Sequence, residues 1–433
     1  MTQTDFSLSD DIHTVVLGIG DLNGIMRGKR IPASHWETIC REGSAVAISL
    51  LAIDMTCDVW DTPYVNFDNG YPDMHLFPMT TPVRIPWEPG VAISFGRAEG
   101  LDHKPVPIDP RQVLIAQVER AKALGYRVSV GTEVEFFLLD PATGKPRDQG
   151  IDVYGLARAA EMEHVLGPIR RQINECGIPL EQSNPEYAPG QVEVNIRYGE
   201  ALQSADRVVL FRSLVRQLAH THGYLATFMP KPFADQSGNG FHCHYSLWKD
   251  GQNVFSAGGK LSQTAKHFLG GLQKRMPEMS LCSSGTVNGY RRRQPLSFAP
   301  VNASWGYDNR TAGLRCIEGA DHAVRIEKRD ADAASNPYLL LAADIAAGLD
   351  GLEQKIEPSE PTLGNAYDPK CAIGAPLPTD LKTAIELARS SDWLKNTLSE
   401  LMWELVCQQA ERELTFVNQE VTQVERDRYL RTF

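Results

Sequence analysis

Long apolar runs are missing from this 433-residue chain. None approaches the roughly 18 residues that a membrane span needs, so no membrane partner is expected. Basic charge is scarce too. Forty-three Lys and Arg against 54 Asp and Glu leave a formal net charge of -11, with a pI near 5.5. A nucleic-acid surface usually needs clustered excess base, so no nucleic-acid partner is expected either. Small anionic ligands stay open, because local arginines can hold phosphate on an acidic protein. The cysteines lack any repeated spacing: Cys40, Cys57, Cys176, Cys243, Cys282, Cys316, Cys371 and Cys407. In a chain this long they read as reduced cytosolic thiols, neither a disulfide framework nor a zinc knuckle. Met1 to Asp11 is polar and acidic, which does not read as a signal peptide. The expected location is therefore cytoplasmic. No internal repeat or low-complexity segment stands out. What is present is 42% hydrophobic and 22% charged residues, enough for two domains and a large core.

Along the chain, His13 to Gly20 is β-rich, Asp21-Leu22-Asn23-Gly24 is a turn, and Ile25 to Ile31 returns as a second strand. Proline and glycine are frequent from Trp60 to Gly100, with strands expected at Val83–Ile85 and Val91–Phe95. Residues 1 to about 100 read as a small, mostly β domain with one or two short helices. Lys104 to Pro110 is a linker that ends in a helix cap: Asp109 caps, Pro110 fits the first position and Gly125 closes. Val113, Leu114, Val118, Ala121 and Leu124 give that helix one buried stripe. Strands then alternate with helices. Arg127–Leu139, Gln191–Tyr198, Leu225–Met229 and Phe241–Trp248 read as strands. Ala157–Cys176, Ala205–His222, Asn336–Leu352 and about the last 40 residues read as helices.

Four segments place charged groups on alternating positions with apolar residues between. They are Glu133-Val134-Glu135, Glu193-Val194-Asn195-Ile196-Arg197, His242-Cys243-His244-Tyr245-Ser246 and Arg325-Ile326-Glu327-Lys328-Arg329. Successive side chains of a strand point to opposite faces. One face then collects Glu133, Glu135, Glu193, His242, Glu327 and the arginines. The other takes Val134, Val192, Val194, Ile196, Cys243, Tyr245 and Ile326. A solvated sheet face would explain a lone Glu-x-Glu. Four such strands point instead to a sheet lining a cavity. Carboxylates with imidazole suit a hard divalent cation, and arginines beside them suit phosphate or carboxylate.

In this order the motifs resemble those of the glutamine synthetase family across almost the whole chain. They are Glu133–Phe137, Glu186–Glu193, Lys231-Pro232 with Gly238–His244, Asn288–Arg292, Asn309–Arg315, and Arg325–Arg329 with Asn336–Leu339. The resemblance implies an α+β fold: a small N-terminal β-grasp domain (residues 1–103) and a C-terminal catalytic domain (104–433) whose antiparallel sheet lines a funnel flanked by helices. It implies ATP-dependent amide formation, in which the γ-carboxylate of L-glutamate is phosphorylated and an amine displaces phosphate. It also implies homo-oligomers with funnels at subunit borders, in hexameric rings that stack as a dodecamer.

Carried over residue by residue, Glu135, Glu186 and Glu193 would hold one Mg2+ or Mn2+, and Glu133, His242 and Glu327 another, with two or three ions per site. Arg310 and Arg315 would contact ATP phosphates and the transferred group. Arg292 and Arg329 would contact glutamate carboxylates and the acyl phosphate. Gly238 would let backbone approach glutamate. Tyr198 would stack on adenine or else be plain core at a strand end. His244 and Ser246 share the His242 face and would reach toward the nucleotide. Arg291 and Arg293 lack such support and read as surface residues.

Two departures concern the amine. The family usually has glutamate before Ala-Pro on the flap after the Arg292 motif. Here Phe298 precedes Ala299-Pro300. A phenyl ring cannot take a proton or pair with a small cation, but it packs on carbon. The family's Asp-Gly-Ser-Ser segment reads Asp54-Met55-Thr56-Cys57 here, so Asp54 keeps the acid that would serve the attacking amine. The runs Asp21–Pro32 and Ala303–Thr311 look most like the γ-glutamylputrescine synthetase branch. The expected activity is a glutamate–amine ligase. Putrescine or another polyamine is the first candidate, with its distal ammonium on Asp54, Asp58 or Asp61 and its methylenes along Phe298 and Met55. A short monoamine or an aromatic amine is the second, and ammonia the third. A catalytically idle binder of glutamate or nucleotide is the alternative of a different class.

Overall fold

A computed structural model describes residues 6–147 and 150–433, so the sequence reading of Met1–Asp11 falls partly outside the described residues. The N-terminal region builds a six-stranded sheet from β1 (Thr14–Gly20), β2 (Met26–Pro32), β3 (Ser44–Ala47), β4 (Asp73–Pro78), β5 (Val83–Arg84) and β6 (Val91–Glu99), in the order β2-β1-β6-β4-β3 with β5 on β6. β1 and β6 run parallel and the other pairs antiparallel. The β1–β2 turn is held from inside. Buried Asp21 accepts from the amides of Asn23 (2.9 Å) and Ile25 (2.8 Å), and Gly24 takes φ +68°, where a side chain would be strained.

The second sheet is formed by β7 (Arg127–Leu139), β8 (Leu180–Pro185), β9 (Gln191–Glu200), β10 (Leu225–Thr227), β11 (Phe241–Lys249), β12 (Gln252–Asn253), β15 (Trp305–Tyr307), β16 (Leu314–Ile317) and β17 (Arg325–Lys328), while β13 (Ser256–Ala257) and β14 (Lys260–Leu261) pair separately. Its order is β15-β16-β17-β11-β7-β9-β8, with β10 on β7 and β12 on β11. The chain is thus α+β, with the four motif strands adjacent in the middle of one sheet.

Alternation decides which face is covered. Val134, Val192, Val194, Ile196, Cys243, Tyr245 and Ile326 are all buried on the helix side. The helix Pro337–Gln354 is apolar nearly all round and correspondingly buried, with helices Pro110–Ala123, Ala201–Thr221 and Gln263–Arg275 packed on it. Its start follows from sequence: Asn336 Oδ1 accepts from Tyr338 N at 2.9 Å and Pro337 occupies the first position. Asp109 and Pro110 do the same for Pro110–Ala123.

A polar cluster lies within this core. Lys328, whose side chain faces away from Glu327 and Arg329, contacts Asp330 at 2.6 Å and Asp344 at 3.0 Å, and Tyr245 donates to Asp344 at 2.6 Å. Arg293 joins it, 3.7 Å from Asp330 and buried, so its reading as a surface residue is corrected; Arg291 is exposed as expected. Two further expectations change. The helix foreseen over Ala157–Cys176 is two, Leu156–Glu161 and Glu163–Glu175, because Met162 at φ -91°, ψ 0° steps out of helical geometry. Leu124 is exposed, since it follows the last helical turn instead of facing the core. All eight cysteines are free thiols. Among the described residues no helix is long and apolar enough to cross a membrane.

Candidate active site

Register brings the alternating acids together. His242 on β11 lies opposite Glu133 on β7, Glu135 opposite Glu193 on β9, and His244 opposite Glu327 on β17. His242 Nδ1 is 3.3 Å from Glu133 and 3.7 Å from Glu327, and His244 Nε2 is 3.0 Å from Glu133. Ligand atoms of Glu133, Glu193 and His242 lie within 4.8 Å of one another, as do those of Glu133, His244 and Glu327. This grouping differs from the two expected triads. Glu135 is turned to the amides of Gly240 (2.7 Å) and Gln191 (3.2 Å), and Glu186 to Asn184 (2.9 Å). A Cβ at Gly240 would meet Arg292 Nη2 at 2.7 Å and His242 Nε2 at 2.9 Å, so any larger residue would displace these site side chains.

So many acids in one buried place cannot all ionise freely. Burial, then the charges of Glu133 and Glu135, push Glu193 up to about 9. Burial and Glu135 push Glu186 up to about 7. Burial works against the charge of Glu133 too, but His244 and His242 beside it hold its carboxyl well below the usual range. Burial likewise opposes ionisation of Glu327, yet Arg329 first, then His244 and His242, hold it at about 2. Burial and Arg329 lower His242, which favours the neutral imidazole that can bind metal. Its Nε2 is buried without a hydrogen-bond partner. An orphaned imidazole nitrogen among carboxylates fits a hard divalent cation.

The arginines surround this centre. Arg329 contacts Glu327 through Nη1, and Arg315 reaches Glu327 Oε2 at 3.0 Å and Asp308 at 2.9 Å. Arg292 is pinned by the backbone oxygen of Ala331 at 3.0 Å. A cavity of about 260 Å³ opens above, lined by Glu135, Glu186, Glu193, His242, Gly238, Arg292, Arg310, Arg329 and Phe298. Arg310 is exposed there, while Arg315 stays outside the lining. Gly238 gives its carbonyl to Gln191 at 3.1 Å, and a Cβ there would meet Pro230 O at 2.7 Å. Ser246 shares the face but accepts from Trp248 at 2.9 Å and does not line the cavity.

Tyr198 is not core. The β7–β9 pairing is irregular between Val130 and Thr132: Ile196 faces Thr132 and Gly199 faces Val130. The extra residue re-aims the side chain. Tyr198 is 58% exposed, and a side chain at Gly131 would meet both Tyr198 Cβ (3.4 Å) and His244 Cβ (3.8 Å).

At the mouth, Phe298 takes φ +58° and stacks on Tyr187, with centroids 5.8 Å apart and planes at 27°. Tyr187, Tyr154, Gln191, Ser237 and Ser297 also line the cavity and were not singled out from sequence. Tyr187 and Gln191 sit inside the Glu186–Glu193 motif, which could have marked them. Tyr154 had no such signal.

Asp54 is not brought to this cavity. It caps its own loop, accepting from Thr56 N (2.9 Å) and Asp58 N (2.9 Å), and lies 3.6 Å from Arg412 on the helix Glu400–Gln419. Asp58 pairs with Arg412 at 2.8 Å and Asp61 accepts from Tyr71 at 2.6 Å. The loop is thus tied to the C-terminal helix, away from the chain's own funnel. Arg197, expected on the site face, is exposed and 3.8 Å from Glu181.

Known proteins share this architecture. Residues 107–429 match the family model described as the glutamine synthetase catalytic domain. The chain is 33% identical to a glutamate–isopropylamine ligase of Pseudomonas sp. over 98% of this chain and 96% of that one. It is 36% identical to a γ-glutamylethanolamide synthetase of Streptomyces coelicolor (90% and 85%) and 33% identical to a glutamine synthetase of Thermococcus kodakarensis (96% and 95%). A solved structure of a GmaS/ADP complex superposes with a TM-score of 0.87 at 29% identity, covering 97% of each chain. Sheet, carboxylates and relatives agree: the chain belongs to the glutamine synthetase family and is an ATP-dependent carbon–nitrogen ligase that joins glutamate to an amine or to ammonia.

Proposed function

We propose that this ligase uses a short organic amine in preference to ammonium. The carrying observation is Phe298 at the funnel mouth, stacked on Tyr187. Aromatic faces attract an alkylammonium and pack on its carbon, whereas free ammonium gains nothing from carbon packing. The names of two relatives, an isopropylamine ligase and an ethanolamide synthetase, support the same reading. Putrescine or another polyamine is the second reading. It is supported by three carboxylates, Asp54, Asp58 and Asp61, on one loop.

In this reading Glu133, Glu135, Glu186, Glu193, His242 and Glu327 hold the divalent cations, Mg2+ or Mn2+, and His244 adds a ligand or orients Glu133. The cations neutralise the oxygens transferred from ATP. Arg310, Arg315 and Arg329 offset charge on the phosphoryl group, Arg292 holds glutamate, Gly238 lets its backbone approach, and Tyr198 stacks on the nucleotide base near His244 and Ser246. Asp54 serves the amine of a neighbouring subunit's funnel in a ring, with the chain divided near residues 103 and 104. ADP release measured with ammonium, isopropylamine, ethanolamine, putrescine and aniline tests the amine. Highest efficiency with a short monoamine supports the first reading and with putrescine the second. A preference for ammonium rejects both.

A further inference from the structure

The two oxygens of Asp54 are held differently. Oδ1 accepts three hydrogen bonds from its own loop: Thr56 N at 2.9 Å, Thr56 Oγ1 at 2.7 Å and Asp58 N at 2.9 Å. Oδ2 accepts none among the described residues, and it is not one of the buried side-chain oxygens that lack a partner. The side chain is 22% exposed. One oxygen is fixed and the other is open.

Arg412 stands beside the open oxygen without closing it. Its Nη2 is 3.6 Å from Asp54 Oδ2, too far for a hydrogen bond, and 2.8 Å from Asp58 Oδ2. A guanidinium with a single carboxylate beside it pairs with that carboxylate through charge-assisted hydrogen bonds. Here Asp58 takes the pairing instead. Trp60 backs the arrangement: its ring is buried, and the guanidinium carbon lies 5.4 Å from the ring centre. The helix Glu400–Gln419 fixes the stem of Arg412, since Met402, Leu405, Val406, Cys407 and Ala410 of that helix are buried. Burial opposes the charge of Asp54, yet the Thr56 hydroxyl, the amides of Asp58 and Thr56, and Arg412 hold its carboxyl below the usual range. The cation keeps Asp54 ionised and leaves one of its oxygens unoccupied.

We propose that Asp58 and Arg412 are positioning residues for the amine step, an assignment that rests on Asp54 serving the amine. Asp58 draws the guanidinium aside, so that Asp54 Oδ2 stays open to an N–H of the attacking amine. Without the Asp58 carboxylate, a movement of about 0.8 Å would bring Nη2 onto Asp54 at the distance it now keeps from Asp58. The exposed ion pair itself adds little to stability, so its loss should leave the fold intact.

Steady-state kinetics of the full-length oligomer with isopropylamine test this. In Asp58→Ala, Arg412 should close on Asp54. The kcat/KM for the amine should then fall at least about tenfold, as expected when a charge-assisted contact is blocked, with KM for glutamate unmoved. Adding Arg412→Gln to Asp58→Ala should raise that kcat/KM again by at least about threefold, because the blocking cation is gone. A merely structural tie would leave the double variant no better than the single one. A crystal of Asp58→Ala should show Arg412 hydrogen-bonded to Asp54 Oδ2, a readout independent of turnover. Unchanged amine efficiency in Asp58→Ala, no recovery in the double variant, or Arg412 still off Asp54 in that crystal would overturn the proposal. Asp54→Asn separates the two levels. Where it slows the amine step and Asp58→Ala does not, the positioning role alone falls. Where Asp54→Asn is silent, the role of Asp54 falls and the positioning role with it.

Discussion

The deep end of the funnel and its mouth are built by different means. In the deep end Glu133, His242, Glu193 and Glu327 stand on four hydrogen-bonded neighbouring strands, so register alone fixes their separations. At the mouth Phe298 and Leu296 sit on an irregular loop at φ +58° and +63°, and Phe298 meets Tyr187 through ring contact only. Chemistry common to the family rests on the rigid part, and the feature that departs from the family rests on the pliable one. Loops positioned by a rigid scaffold are where specificity can change at small cost to the fold.

The sharpest way to break this contrast is to remove a group from the deep end. Glu135→Ala or His242→Ala should leave a folded oligomer with turnover down at least about 10²-fold for every amine, since losing one such electrostatic element typically costs that much. Near-normal steady-state rates in both variants would remove the two-metal reading. At the mouth the effect should be selective. Phe298→Glu should abolish a preference for alkylamine over ammonium of about 10- to 50-fold, the worth of two or three buried methylenes at roughly 0.8 kcal/mol each. The measurement is the ratio of kcat/KM for isopropylamine and ammonium, and an unmoved ratio would assign the preference elsewhere.

Asp54 tests whether the mouth is completed by a second chain. Asp54→Asn should slow turnover with all amines. Mixing Asp54→Ala with Glu327→Ala after subunit exchange should restore part of the activity. No recovery despite proven exchange would mean that each funnel works with its own chain alone.

The smallest effect is a proton count. With Glu193 at about 9 and Glu186 at about 7, the metal-free site holds roughly one to two protons near pH 7 that a cation must displace. Titration calorimetry of Mn2+ in buffers of different ionisation heat should show that release, reduced in Glu193→Gln. The sign for stability follows. Both carboxyls bind protons more tightly folded than unfolded, so their contribution is present at low pH and is lost as pH rises through about 7 and 9. Metal-free protein should melt at progressively lower temperature across that window, less steeply with Glu193→Gln.

Much of the deep end was legible because strand alternation has a period of two and the sheet obeys it: Glu133, Glu135, Glu193, His242 and Glu327 all face the funnel side. What escaped sequence reading depends on neighbours distant in the chain. Arg293 looks like any polar residue of an arginine run, and its burial follows from Asp330. Gly240 matters only because Arg292 and His242 converge on it. Tyr198 breaks the alternation through a pairing irregularity that one strand's sequence does not announce. Tyr187 acquires its role from Phe298, more than a hundred residues later. Asp54 is legible as an acid, but the loop that carries it, tied to Arg412 and apart from the chain's own cavity, is not.

Lys328 carries a consequence for how the protein folds. It stands between Glu327 and Arg329, yet points the other way, into the buried carboxylates of Asp330 and Asp344. A one-residue slip of β17 against β11 would exchange the two faces. The ammonium would then enter the cation site, and Glu327 and Arg329 would be forced into the apolar layer. Both errors are severe, so the misregistered state is penalised twice and the correct pairing is singled out during assembly. An uncharged residue at 328 would leave the site's chemistry intact on paper while removing half of the proofreading that sets it in place.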